Sequence, residues 1–137
     1  MADPVSERRF KDASLTTNVA LPNAANVKNT AGVDLGQTTP YPITESFHVK
    51  LSTSIATGAN NKNITIKVQD SADNTTFANI AELGSLVVTD NNAAGFPVGT
   101  LTVSLPPDTA RYIRAQATGE ANGGNAADGT LTVELLF

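Results

Sequence analysis

The sequence predicts an all-β fold, a two-layer jelly-roll β-sandwich of about eight antiparallel strands, on three observations. Apolar residues recur at every second position in several short segments. Prolines and clusters of Asn, Asp and Gly separate those segments, and no stretch carries the apolar stripe of an amphipathic helix. Composition agrees: Thr occurs 18 times and Asn 13 times in 137 residues, the one favouring strand surfaces and the other tight turns, while strong helix formers are thinly spread. With no Trp, five Phe and two Tyr, the core must be built mainly from Val, Leu, Ile and Ala.

Residues 1–30 differ from the rest. They have no sustained period, so they read as an extended N-terminal arm ahead of a sandwich domain over 31–137. Val33-Asp34-Leu35 is a short strand closed by Gly36, and Pro40 and Pro42 then break any ladder, since neither can donate to one. Over 45–52, Phe47, Val49 and Leu51 fall on one face and His48 and Lys50 on the other. Ile64, Ile66 and Val68 repeat this alternation against Thr65, Lys67 and Gln69. Short strands follow at 77–80 and 85–89, and Leu101, Val103 and Leu105 mark another that Pro106-Pro107 stops. From Arg111, Ile113, Ala115 and Ala117 oppose Tyr112, Arg114 and Gln116. A glycine-rich loop over 119–129, expected to be exposed and mobile, leads to the last strand at 130–137.

The absence of crossover helices excludes a parallel βαβ arrangement and leaves a sandwich or a barrel. Each segment has one apolar face, as a sandwich requires. A jelly roll is the preferred topology and an immunoglobulin-like sandwich the alternative.

Charge and composition bound the partners. The formal net charge is −4 with only nine Lys plus Arg, none densely clustered, so no basic face is expected for nucleic acid or for anionic lipid. No window approaches the length of an apolar membrane span, and the charged first residues lack the apolar core of an export signal. Without cysteine there is no disulfide, thiolate nucleophile or Cys-based metal site.

Catalytic readings fare poorly. His48 is the sole histidine and sits on the polar face of its strand; no G-x-S-x-G elbow accompanies it, and Ser46 and Ser52 merely share that strand. One histidine cannot build a His-rich zinc site. Asp70 and Asp73 could pair as acids or, with Asn74, bind calcium, but their spacing departs from the Asp-rich calcium loop and suits backbone capping in a turn. The chain therefore reads as no enzyme, with no catalytic, metal or cofactor residues. Tyr112 and Arg114, two positions apart on one face, are candidates for a partner interface, as both residue types are enriched at binding hot spots. In the arm, Phe10 is the candidate anchor, with Arg8 and Arg9 placed to face acidic partner groups.

Two stretches carry a resemblance. One runs from Lys62 through Gln69-Asp70-Ser71-Ala72-Asp73 to Phe77-Ala78-Asn79-Ile80; the other is Leu105-Pro106-Pro107-Asp108-Thr109-Ala110-Arg111-Tyr112-Ile113-Arg114. They resemble the "Q-D-S-x-D" turn, "F-x-x-I" strand and "L-P-x-x-x-x-R-Y-I-R" strand of podophage jelly-roll capsid cement or decoration proteins of the Bordetella phage type, over residues 30–137. The resemblance implies a structural virion protein, assembled in the host cytoplasm, on the outer capsid surface. There it would bridge subunits of the major capsid protein as a homo-oligomer, a dimer with a trimer as the alternative, without cofactor, nucleic acid or membrane. It also implies that Asp70 and Asp73 shape a turn and that Phe77 and Ile80 pack between the sheets. The alternative from a different class is a carbohydrate- or receptor-binding module of a phage tail or fibre.

Overall fold

The computed structural model describes residues 11–36, 48–57, 61–90 and 95–136, the side chains of 11–15 excepted. Ten strands are arranged in two antiparallel sheets: β1 (Lys11–Ala20), β2 (Val27–Asn29), β3 (Val33–Asp34), β4 (His48–Thr53), β5 (Asn63–Ser71), β6 (Ala78–Asn79), β7 (Ser85–Thr89), β8 (Thr100–Ser104), β9 (Tyr112–Gly119) and β10 (Thr130–Leu136). A 3₁₀ turn, Ala81–Leu83, joins β6 to β7. Among the described residues, no helix is long and apolar enough to cross a membrane.

Sheet I has the order β1-β10-β4-β8. In sheet II, β9 and β5 form the centre, β2 and β3 share one edge, and β6 and β7 share the other. With each split edge counted as one strand, chain order becomes 1-8-3-6 in one sheet and 2-7-4-5 in the other. Hydrogen-bonded neighbours are thus drawn mostly from distant parts of the chain, which is the jelly-roll wrapping and not the hairpin-rich immunoglobulin one.

The alternation read from the sequence decides which side of each strand is buried. Val49 and Leu51 of β4, Ile64, Ile66 and Val68 of β5, Ile113, Ala115 and Ala117 of β9, and Leu131, Val133 and Leu135 of β10 are all buried between the sheets. Cross-strand partners in sheet II alternate in size: Val68 is opposite Ala115, and Ile66 is opposite Ala117. The small side chains of β9 leave room for the larger ones of sheet I, as dense interior packing demands. Phe96, buried in the connection after β7, closes the core at one end.

Three differences from the sequence reading have physical causes. Residues 11–29, assigned to the arm, contain two strands: β1 pairs with β10 from Ala20↔Thr130 to Thr16↔Glu134, and β2 pairs with β9. Both are edge strands. The three residues of β2 are exposed, and a register shift between Lys11 and Thr16 interrupts β1, so neither shows a clean alternation. Residues 1–10, including Arg8, Arg9 and Phe10, lie outside the described residues, as do Phe47 and residues 37–46.

The 120–129 loop is exposed at most of its positions, as expected, but it is pinned against the sandwich. Ala126 is buried; the Ala24 N–H donates to Gly124 O (2.7 Å), the Ala126 N–H to Pro22 O (3.3 Å), and the Thr57 N–H to Asp128 Oδ1 (2.9 Å). Its glycines serve close approach: a Cβ at Gly129 would overlap Ala56 and Leu21, and one at Gly119 would overlap the Ala24 carbonyl.

Phe77 is the third. Ile80 is buried, as expected, but the Phe77 ring is half-buried and lies under the Arg114 guanidinium, outside sheet II. It belongs to the turn that curls past the end of β5, where the strand alternation no longer dictates its side.

Candidate functional site

Strand parity places two sets of side chains on the outer faces of the sandwich. On sheet I these are mostly short hydroxyls. Thr132 stands opposite Asn18 and Ser52, Lys50 is opposite Glu134 and Thr102, and His48 is opposite Leu136 and Ser104. The Lys50 Nζ lies 3.9 Å from Glu134 Oε2.

The outer face of sheet II is built differently. Gln69 and Arg114 are opposite each other on β5 and β9, and the Arg114 Nε–H donates to Gln69 Oε1 (2.8 Å). The Gln69 amide in turn donates from Nε2 to Asn79 Oδ1 on β6 (3.0 Å). The Arg114 guanidinium carbon sits 4.0 Å from the centroid of the Phe77 ring, so one row of side chains spans three strands and the turn beyond them. Burial lowers the Arg114 pKa from the ordinary arginine value. One row further along, Gln116 Nε2 donates to Asn29 Oδ1 on β2 (3.1 Å), and Lys67 and Ser85 continue the row on β5 and β7.

The next row is less polar. Val27, Thr118, Thr65 and Val87 are successive cross-strand partners from β2 to β7. At about 4.8 Å per strand this stripe is roughly 14 Å long. Val27 and Val87 are 47% and 50% exposed, while the two threonines between them present methyl and hydroxyl groups. Beyond the stripe, Thr89 Oγ1 donates to Asn63 Oδ1 (2.7 Å), the Asn63 N–H donates to Glu120 Oε2 (2.9 Å), and Lys62 Nζ lies 3.5 Å from Glu120 Oε1. A shallow depression of about 290 Å³ opens here, lined by Asn63, Thr65, Thr118, Gly119 and Glu120. It offers hydroxyl, amide and carboxylate groups beside an apolar stripe.

Tyr112 and Arg114 project from the outer face of β9, as their alternation with buried Ile113 requires. Both are half-buried by neighbours. Arg111 lies over the Tyr112 ring at 5.3 Å and forms a two-pronged pair with Asp34, Nε to Oδ1 at 2.8 Å and Nη2 to Oδ2 at 2.9 Å. That pairing, with the Gly36 N–H, holds Asp34 below the ordinary aspartate value. Tyr112 and Arg114, the interface candidates read from the sequence, both lie on the outer face of sheet II. The sequence did not reveal the Asn29, Gln69, Asn79 and Gln116 amides or the Val27–Val87 stripe, because these meet only through cross-strand register.

Of the two candidate acids Asp73 shapes a turn, as the resemblance implies, whereas Asp70 lies on β5 and bonds across to the connection before β9. Asp73 Oδ1 accepts from the N–H groups of Thr76 and Thr75 (both 2.9 Å) and from Ser71 Oγ (2.8 Å), and these bonds hold its pKa well below the usual carboxylate range. Asp70 Oδ2 accepts the Ala110 N–H (2.9 Å), which joins the two motif-bearing stretches into one unit. Among the described residues, no group of three or more His, Asp or Glu side chains gathers to hold a metal ion.

No protein-family model and no characterised protein sequence matches the chain. Its fold is similar to part of the PBSX exported protein XepA, with a TM-score of 0.54 and 16% identity; the alignment covers 98% of this chain and 39% of that one, so this chain spans well under half of XepA's length. Looser likenesses are to tomato aspermy virus (TM-score 0.48, 13% identity, 93% of this chain and 76% of that one) and to the xylan-binding module CBM15 (0.44, 11%, 93% and 96%), values too low to build on. What XepA shares with the chain is the β-sandwich fold.

Proposed function

We propose that this chain is a non-catalytic recognition module of a phage-type particle, and that it binds a surface polysaccharide through the outer face of sheet II. The observation that carries this reading is the depression lined by Asn63, Thr65, Thr118, Gly119 and Glu120. Its amide, hydroxyl and carboxylate groups match the donors and acceptors of sugar hydroxyls, and the adjoining methyl and valine surface suits the apolar side of a sugar ring. Several of its polar groups are already oriented by neighbours, which lowers the ordering cost of binding. The Phe77 and Tyr112 rings are covered by Arg114 and Arg111, so recognition rests on hydrogen bonds and aliphatic contact instead of aromatic stacking. Individually weak contacts suffice where many copies engage one surface.

A second reading is capsid decoration, with the major capsid protein as partner and the outer shell as location. It is favoured by the way the two stretches that resemble decoration proteins fold together: β5 and β9 pair along their length, and the Ala110 N–H bonds to Asp70. One experiment separates the two. The purified full chain is offered to an array of bacterial surface polysaccharides and, in parallel, to stripped, expanded capsids of its own phage. Saturable binding to a polysaccharide, competed by the free oligosaccharide, supports the recognition reading. Saturation of capsids without polysaccharide binding assigns the decoration role instead.

A further inference from the structure

An edge strand turns every second pair of main-chain N–H and C=O groups out of its own ladder, and native sheets blunt such edges with short strands, charges, prolines or bulges. Most edges of this sandwich are blunted. β2, β3 and β6 have three residues or fewer, and a register shift interrupts β1, which begins Lys11-Asp12. β7 has none of these devices. Ser85-Leu86-Val87-Val88-Thr89 is continuous, carries no charge and no proline, and among the described residues pairs only with β5.

The ladder fixes which groups of β7 are free. The Asp90 N–H donates to Lys62 O (2.8 Å), one step beyond the Thr89–Asn63 pair, so Val88 and Leu86 also direct their main-chain groups toward β5. By the alternation of antiparallel pairing, Ser85, Val87 and Thr89 direct theirs away from it, out of the sheet edge. These three positions are symmetric about Val87. Their side chains are exposed on the outer face, Val87 at 50%, while Leu86 on the inner side is only partly buried.

We propose that β7 pairs antiparallel with β7 of a second copy across a two-fold axis at Val87, joining the two copies of sheet II into one. Ser85 then lies opposite Thr89 of the second copy, Val87 opposite its own equivalent, and Leu86 opposite Val88. Each pair of outward-directed residues exchanges two main-chain hydrogen bonds, so every free donor of the edge meets an acceptor. The match is self-complementary, as a two-fold interface requires: hydroxyls meet at both ends, apolar side chains meet on both faces, and no like charges within β7 oppose each other. β8, the open edge of sheet I, has partly buried Leu101 and Val103 on its inner side, but its exposed positions are Thr100, Thr102 and Ser104. Pairing there would cover hydroxyls, whereas pairing at β7 removes an exposed valine from water.

The join also carries the row Val27, Thr118, Thr65, Val87 into Val87, Thr65, Thr118 and Val27 of the second copy, lengthening the stripe from roughly 14 Å to roughly 34 Å. Use of that long stripe by a polymer rests on the polysaccharide reading above; the pairing itself does not.

The test is made on the full chain without polysaccharide. Sedimentation equilibrium from about 1 to about 500 μM should follow a monomer–dimer equilibrium with a dissociation constant on the order of tens of micromolar. Val87→Lys sets two ammonium groups face to face at the axis and should weaken dimerisation about tenfold or more, whereas Thr102→Lys on β8 should leave it unchanged. Because the chain has no cysteine, Val87→Cys and Thr102→Cys each carry a single thiol. Mild oxidation should link Val87→Cys chains into disulfide dimers and leave Thr102→Cys chains mainly monomeric. A wild type that stays monomeric throughout the range overturns the proposal, as does a Val87→Lys protein that dimerises as tightly as the wild type. Loss of the dimer in Thr102→Lys alone would assign the interface to β8 instead and overturn it equally. Should Val87→Lys fail to fold, the two cysteine variants decide: equal yields of linked dimer contradict pairing at β7. A chain that dimerises through β7 but binds no polysaccharide would refute the polysaccharide reading alone, and a monomer that binds one would refute the pairing alone.

Discussion

The two outer faces of this sandwich are built from the same strand geometry and differ in how their side chains are held. Sheet I presents Ser and Thr hydroxyls and a Lys50–Glu134 contact of 3.9 Å, most of its side chains being short. Sheet II presents long planar groups tied to one another across strands: Arg114 to Gln69, Gln69 to Asn79, Gln116 to Asn29, Thr89 to Asn63. A face of short side chains costs little to change and recognises little. A pre-bonded face with an apolar stripe has already met much of the ordering cost of binding, and it is the one to which a partner should dock.

The largest effect should separate the two sides of a single strand. Val68→Asp puts an unpaired charge between the sheets at a position 2% exposed, and should abolish the cooperative melt, a loss above about 4 kcal/mol. Lys67→Asp, one residue away on the outer face, should move the chemical-denaturation midpoint by less than about 0.5 kcal/mol equivalent. Comparable losses at both positions would mean that the parity assigned to β5 is wrong.

Removing residues 2–20 should be the next most severe change, because it strips β1 from β10 and exposes the inner side around Leu131 and Val133. Removing residues 2–10 alone should leave the melt within a few degrees of the full chain; circular dichroism of both truncations measures the difference. Within the faces, Arg114→Ala should cost about 1–3 kcal/mol, since it leaves Gln69 Oε1, in a residue 6% exposed, without its donor and uncovers the Phe77 ring. Lys50→Ala on sheet I should cost less than about 0.5 kcal/mol, and high salt should mask even that. Equal costs would erase the distinction between the faces.

The smallest effect is confined to acid. Asp73 has a folded-state pKa below its unfolded value, chiefly through the Thr76 and Thr75 N–H groups, so its stabilisation is complete above about pH 4 and fades as the pH falls toward the folded value. Asp73→Asn should therefore flatten the decline in melting temperature below pH 4 while changing its slope at pH 6–8 hardly at all.

How much of this was legible in the sequence follows from what each element needs. β4, β5, β9 and β10 lie inside their sheets, paired on both sides, and their buried positions fall at every second residue, so Val49, Ile66, Ile113 and Val133 announce them. β1 and β2 are edges. The pairing partner of β1 at Thr17 is Val133, and a polar inward residue gives no apolar signal; β2 buries nothing. The Asp73 turn was legible because its donors lie within three residues. The sheet II ladder was not, since Gln116 and Asn29 are 87 residues apart and Arg114 and Gln69 are 45 apart. Asp90-Asn91-Asn92 reads as an ordinary polar turn, and nothing local betrays that Asp90 is buried.

The most direct test of the account is to block each face in turn and measure binding to the polysaccharide that the wild type recognises. Thr65→Arg with Thr118→Arg fills the centre of the sheet II stripe, and Thr102→Arg with Thr132→Arg places the same bulk and charge on sheet I. With both double variants melting near the wild type, titration calorimetry should show affinity falling about a hundredfold or more, a loss of about 2.7 kcal/mol, for the sheet II variant and less than about twofold for the sheet I variant. Undiminished binding by the sheet II variant, or an equal loss from both, would contradict the assignment of recognition to that face.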